Sequence, residues 1–192
     1  MMLYPSEWKN DSKSQEEKYY LNVSYGSILG FYERNTMQDF NARSEKNIRL
    51  VDNRLVRIFK AVRDTHYSTG DVFACVVSGF RTTEEQQAMV ASGASRTMNS
   101  RHLFGKAIDI MLFDKNGQII GSHSMYRELA HFMIEEAKSR FLCIEWGGVI
   151  YGKKFVDADH FQIPPHDDNF EYDNPLGAAM FYHANESLYG FV

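Results

Sequence analysis

Apolar residues recur along this chain first at helical and then at strand spacing. From Ser44 onward, Val51, Leu55, Ile58, Phe59 and Val62 return every three or four positions with Arg and Lys between them, which predicts an amphipathic helix. Val72 to Val77 is a short apolar run rich in valine between Gly70 and Gly79, the pattern of a buried strand. Thr83 and Gln86 stand at capping-box spacing, so a helix is predicted to start there and to stop at Gly93. Lys106 to Phe113 alternates, with Ala107, Asp109, Met111 and Phe113 on one face and Ile108, Ile110 and Leu112 on the other. That is a strand, ended by the turn Asp114-Lys115-Asn116-Gly117. Met125 to Phe141 returns to helical spacing through Leu129, Phe132, Met133 and Ala137. Leu142 to Trp146 and Phe155 to Ile163 read as two more strands, the last closed by Pro164-Pro165 because proline has no donor for a ladder. A short helix is predicted after Asn174-Pro175, a good cap followed by a good first residue.

This order predicts an α+β fold, a small, mainly antiparallel sheet flanked by helices. Residues 1–43 mix a polar run with scattered aromatics and no sustained period, and read as an N-terminal extension. The patterned region is 44–165, and 166–192 is expected to be a tail packed on that domain. At 192 residues one domain is the expectation.

Composition narrows the class of function. With 44% hydrophobic and 24% charged residues the chain is a folded globular protein rather than a disordered one. A net charge of −4 supplies no global basic field, so no nucleic-acid partner is expected. Cys75 and Cys143 lie inside apolar runs and read as buried free thiols. The opening residues lack the basic and apolar regions of a secretory signal, and no stretch approaches the roughly 20 apolar residues of a membrane span. Synthesis in the cytoplasm, no stable membrane association and a monomeric state are the expectations.

Two segments carry chemistry. Ser100 to Asp109 places His102 in a loop and Asp109 within an otherwise apolar strand, and burying an unpaired carboxylate costs several kcal/mol, so Asp109 needs a cation or strong donors. Asp157 to Ile163 sets His160 among apolar neighbours. Two histidines and one aspartate suit a zinc site whose fourth position is left for water, the catalytic arrangement. The same spacing also suits hydrogen-bonded core histidines, and it does not choose between them.

SGFRT at 78–82, Gln86, Gly93 to Ser95, SRHLFGKAIDI at 100–110, EWGG at 145–148 and DADHFQI at 157–163 occur together and in this order. Over about residues 44–165 the chain resembles the zinc D-Ala-D-Ala carboxypeptidase and L-alanyl-D-glutamate endopeptidase family, in its bacteriophage endolysin branch. The resemblance implies a hedgehog/D-Ala-D-Ala metallopeptidase-like fold with its zinc site at the sheet. It implies Zn2+ as cofactor, held by His102, Asp109 and His160, and a peptidoglycan stem peptide as substrate, cut at the L-alanyl-D-glutamate bond through a zinc-activated water. Asp157, three places before the last histidine, takes the position of the general base, which demands a turn or bulge because residues three apart in a straight strand point to opposite faces. Asp159 is then expected to point away. Glu145, beside Trp146, is the rival base, as in the carboxypeptidase branch. Arg81 would bind a substrate carboxylate or steady the oxyanion, with Gln86 and Ser95 as further substrate contacts and Gln162 as support for His160. Gly147-Gly148 permits either close backbone approach or a tight turn. Two alternatives stand beside this reading: a D,D-carboxypeptidase releasing terminal D-alanine, and a non-catalytic zinc-binding wall module. The branch further implies action on the cell wall after release during phage or prophage lysis.

Overall fold

The alternation across residues 107–113 builds the central strand of the fold. In the computed structural model, which describes residues 37–150, 157–165 and 175–184, the elements run α1 (Met37–Asn47), α2 (Asn53–His66), β1 (Val72–Ser78), α3 (Thr83–Ala91), a 3-10 turn (Arg101–Phe104), β2 (Ala107–Asp114), β3 (Ile119–Ile120), α4 (His123–Ser139), β4 (Glu145–Trp146), α5 (Gly147–Ile150), β5 (His160–Gln162) and α6 (Pro175–Ala184). The sheet order is β1-β2-β5-β4, with the short β3 also pairing with β2, and every pairing is antiparallel.

Both faces of β2 are covered, which is why its two alternating sets are both apolar. Ile108, Ile110 and Leu112 join Ala74 and Val76 of β1 in the main core, roofed by Leu55, Ile58, Phe59 and Val62 of α2 and by Leu129, Met133 and Ile134 of α4. On the opposite face Met111 and Phe113 pack with Cys75 and with Phe40 of α1, whose ring stacks 4.6 Å from that of Phe113. Cys75 and Cys143 are buried and free, as expected. Tyr182 of α6 donates its hydroxyl to Leu142 O and accepts from Ile144 N, tying the C-terminal helix to the segment before β4.

Several expectations shift. The helix expected from Ser44 through Val62 is two helices, because Asp52 leaves helical geometry (φ −50°, ψ 128°) and its side chain caps Arg54 N at the start of α2. The boundary expected at residue 43 falls inside α1. The capping box of α3 is Thr82 with Glu85, one residue earlier than Thr83 with Gln86, and this frees Gln86 for another purpose. The two last strands are shorter than expected, β4 and β5 holding two and three residues. Phe155 of the expected last strand, and all but the helix of the expected tail beyond residue 165, lie outside the described residues, as does most of the expected N-terminal extension. Among the described residues no helix is long and apolar enough to cross a membrane.

The Asp52 cap also reaches the loop carrying His102, because Asp52 N donates to Gly105 O at 2.7 Å. Burial disfavours the Asp52 carboxylate, but hydrogen bonds and charge from Arg54 outweigh this and hold its pKa below the ordinary value. Asp52→Ala is therefore expected to cost about 1–2 kcal/mol in urea unfolding near neutral pH. A carboxyl with a depressed folded-state pKa stabilises above its unfolded value, 3.8, and loses that contribution as pH falls through the folded value. The gap between wild type and Asp52→Ala should narrow on acidification below pH 4, and a gap constant with pH would contradict the pairing.

Candidate metal centre

Register puts the site together. Asp109 faces Ser78 across β1 and His160 across β5, so Ser78, Asp109 and His160 form one cross-strand row on the face that α1 covers further along. The adjoining row is Ala107, Gln162 and Glu145. A bulge at Val77 lets Ser78 rather than Val77 stand opposite Asp109. His102 arrives from the 3-10 turn, which Ser100 caps and Gly105 ends with a left-handed φ of 65°.

Gly105 at the end of this turn and Gly79 just after β1 both rest on the end of α1 and the turn that follows it. A Cβ on Gly105 would lie 2.2 Å from Leu50 O, and one on Gly79 would lie 2.0 Å from Asn47 O. Gly79 O in turn accepts from His102 Nδ1 at 2.6 Å, so the ring's other nitrogen, Nε2, points to Asp109 Oδ1 at 3.2 Å. His160 Nδ1 reaches the same oxygen at 3.0 Å, while its Nε2 lies 3.0 Å from Gln162 Oε1.

Three potential ligand atoms thus converge, all within 4.8 Å of one another, and among the described residues this is the group that could hold a metal ion. The donor set fits zinc: two imidazole nitrogens and a carboxylate oxygen, bound at about 2.0–2.2 Å in a tetrahedron, would stand roughly 3.3 Å apart. Each histidine has its remote nitrogen engaged by an acceptor, the support metal-ligating histidines ordinarily have. A fifth of the Asp109 side chain is open, so the cluster is reachable from outside.

The electrostatics match a cation site. Burial works to raise the Asp109 pKa, but the charge and hydrogen bonds of His102 and His160 hold it well below the carboxylate range. Burial opposes charge on His160, yet Asp109, with Asp157 behind it, brings its pKa up to about 9. Arg81 adds a cation at the rim, 3.7 Å from Asp109 Oδ2.

Arg81 is held in place: it donates to Ser78 Oγ at 3.0 Å and to Gln86 Oε1 at 2.7 Å. Gln86, expected among the substrate contacts, is instead wholly buried, and its amide also donates to Ser95 Oγ and Thr97 O. Freeing that buried amide would leave it unsatisfied at about 1–3 kcal/mol, so in this structure it is committed to Arg81, Ser95 and Thr97. Ser95 is likewise engaged, accepting from Gln86 and donating to Thr97 O.

The required turn before His160 is present. His160 N donates to Asp157 O, Asp157 N to Gly147 O, and Trp146 Nε1 to Ala158 O at 2.7 Å. Gly147 serves close approach, since a Cβ there would lie 2.3 Å from Asp157 O and 3.0 Å from His160 Cβ. Asp159 does not point away as expected. Burial first, then the charges of Asp157 and Asp109, push its pKa well above the carboxylate range. Sequence reasoning had no signal for this pair, because side-chain direction within a three-residue turn is not written in periodicity. Glu145, the rival base, accepts from Gln162 Nε2 at 2.8 Å. His66 stacks on Phe132 and His123 lies against Trp146, away from the cluster, whereas the side chains of His166 and His183 lie outside the described residues.

A family model described as phage L-alanyl-D-glutamate peptidase matches residues 37–163. The chain belongs to the phage L-alanyl-D-glutamate peptidase family. The L-alanyl-D-glutamate peptidase of Listeria phage A118 is 35% identical over 125 residues, which are 65% of this chain and 42% of that protein, so the chain spans less than half the length of this curated relative. The crystal structure of the L-Ala D-Glu endopeptidase ChiX of Serratia marcescens is similar at a TM-score of 0.56 and 31% identity, covering 74% of this chain and 97% of that one. A fainter likeness, at a TM-score of 0.42 and 18% identity over 69% of this chain and 78% of the other, is to the vancomycin-resistance D,D-pentapeptidase VanY of a VanB-type cassette, solved with Zn(II). The matched span of this family member begins with α1 and ends at Ile163, just past β5, and so contains every residue of the cluster.

Proposed function

We propose that this chain is a zinc peptidase that hydrolyses the L-alanyl-D-glutamate bond of the peptidoglycan stem, acting on the bacterial cell wall. The observation that carries the reading is the convergence of His102 Nε2, Asp109 Oδ1 and His160 Nδ1 in a chain of this family. A zinc ion bound by these three residues supplies a Lewis acid for the scissile carbonyl and lowers the pKa of water toward about 7.

The chain's own groups do the rest. Asp157, fixed by its turn, takes a proton from the attacking water as general base and passes it to the leaving amine. Arg81, anchored by Ser78 and Gln86 beside Asp109, meets either the oxyanion or a substrate carboxylate with a planar, permanently charged fork. Gln86 and Ser95 keep that fork aimed. Glu145 is committed to Gln162, which favours Asp157 over it as the base.

Digestion of purified peptidoglycan, read by mass spectrometry with and without a chelator, tests the reading. Fragments with a new L-alanine carboxyl terminus and a free D-glutamate amine, absent with chelator, are expected. Released D-alanine would instead assign D,D-carboxypeptidase activity, and no cleavage by zinc-loaded protein would leave a binding module. For Arg81→Ala a loss of about 10²–10³ in kcat/KM is expected, as for removal of one preorganised oxyanion donor. Arg81→Lys should recover little of it, because an ammonium cannot hold Ser78 and Gln86 together. Near-wild-type kinetics in Arg81→Ala would reduce Arg81 to a structural ion pair.

A further inference from the structure

The donors and acceptors around His160 can be assigned in only one consistent way. Glu145 carboxylate has acceptors alone, so the Gln162 atom 2.8 Å from it is the amide nitrogen. The other end of the same amide, Oε1, must then face His160 Nε2 at 3.0 Å, and an oxygen there requires a proton on that nitrogen. The remaining nitrogen, Nδ1, is the one aimed at Asp109 Oδ1. Resting on the zinc reading above, we propose that Glu145 and Gln162 form a relay that fixes His160 with its proton on Nε2 and so presents Nδ1 to the metal.

Glu145 is then a positioning residue, two hydrogen bonds from the His160 imidazole, and the sheet explains how it is placed. Glu145 pairs with Gln162 across β4 and β5, and Gln162 lies two residues from His160 on the same face of β5, so all three side chains stand on one face with Gln162 between the other two. His160 and Gln162 are buried, which keeps water from replacing the hydrogen bond between them. His102 is oriented differently, by a backbone acceptor, Gly79 O, that no side-chain substitution removes. The relay is therefore where the ligand set can be perturbed without touching a ligand.

Zinc affinity by chelator competition and 15N NMR of the His160 imidazole in zinc-loaded full-length protein test the relay. Gln162→Leu is expected to weaken zinc binding by roughly 10- to 100-fold and Glu145→Leu by roughly tenfold, as for loss of outer partners of a ligating histidine. Glu145→Gln should stay within about threefold of wild type, because its amide oxygen accepts the same bond from Gln162. The wild-type spectrum should show a protonated Nε2 and a metal-bound Nδ1, and that signature should weaken in both Leu variants and persist in Glu145→Gln. Wild-type affinity and spectrum in both Leu variants, or equal losses in Glu145→Gln and Glu145→Leu, would overturn the relay. If Gln162→Leu does not fold, the two Glu145 variants decide the matter. Wild-type protein that takes up no zinc overturns the metal reading itself, whereas wild type that binds zinc alongside unaffected variants overturns only the relay.

Discussion

Replacing Asp157 with Asn is expected to lower kcat on peptidoglycan by about 10²–10⁴ while leaving zinc content at the wild-type level, the loss typical of a missing general base. The substitution keeps shape and removes basicity. Asp157 owes its position to the backbone rather than to its own side chain: its N–H binds Gly147 O, its carbonyl accepts from His160 N, and Trp146 pins the next carbonyl, Ala158 O. The Asp157→Asn variant would keep all of these contacts, so a kinetic loss cannot be put down to a displaced turn. Asp157 is also outside the ligand cluster, so metal content is not expected to follow activity. Activity within a few-fold of wild type would remove Asp157 from the mechanism. A Glu145→Gln enzyme that holds zinc yet loses as much activity as Asp157→Asn would move the base to Glu145.

The chemistry was more legible in the sequence than the geometry that delivers it. Asp109 stands out because a carboxylate in an apolar strand needs a partner, and the partners found are His102, His160 and Arg81. Alternation gave both faces of β2 correctly because period two is fixed by the pleat itself. What failed to show were places where a local hydrogen bond overrides periodicity. Val51 sits at helical spacing from Leu55 yet lies in a turn, since Asp52 offers Arg54 N a better partner than a continuing helix would. Thr82 and Thr83 followed by Glu85 and Gln86 allow two capping boxes one residue apart. Only the burial of Gln86 beneath Arg81 selects between them, and that is a tertiary fact. Leu142 to Ile144 looks like strand but is held by Tyr182 from α6, a contact about 40 residues away in the chain. The glycines at 79, 105 and 147 are visible in sequence, but not the backbone atoms they admit.

Removing zinc is expected to end wall hydrolysis and to lower stability by several kcal/mol, because the three proposed ligands, drawn from β2, β5 and the 3-10 turn, come together only in the folded chain. A ligand that binds only the native state adds RT ln(1 + [L]/Kd), about 4 kcal/mol when free zinc is a thousandfold above Kd. The size of this gap should depend on pH with a definite sign. With Asp109 beside it, His160 has a folded-state pKa of about 9 against an ordinary 6.5. In chelated protein this pair contributes stability that is fully present below pH 6.5 and is lost as pH rises through 9. Zinc competes for the nitrogen that carries that proton, so its binding strengthens over the same range. Thermal unfolding of zinc-loaded and chelated samples should therefore diverge as pH is raised from 6.5 toward 9. His160→Ala should abolish the zinc-dependent part, because two remaining ligands cannot close the site. Coincident unfolding of the two samples, or a gap that narrows with rising pH, would mean that His102, Asp109 and His160 do not share a metal.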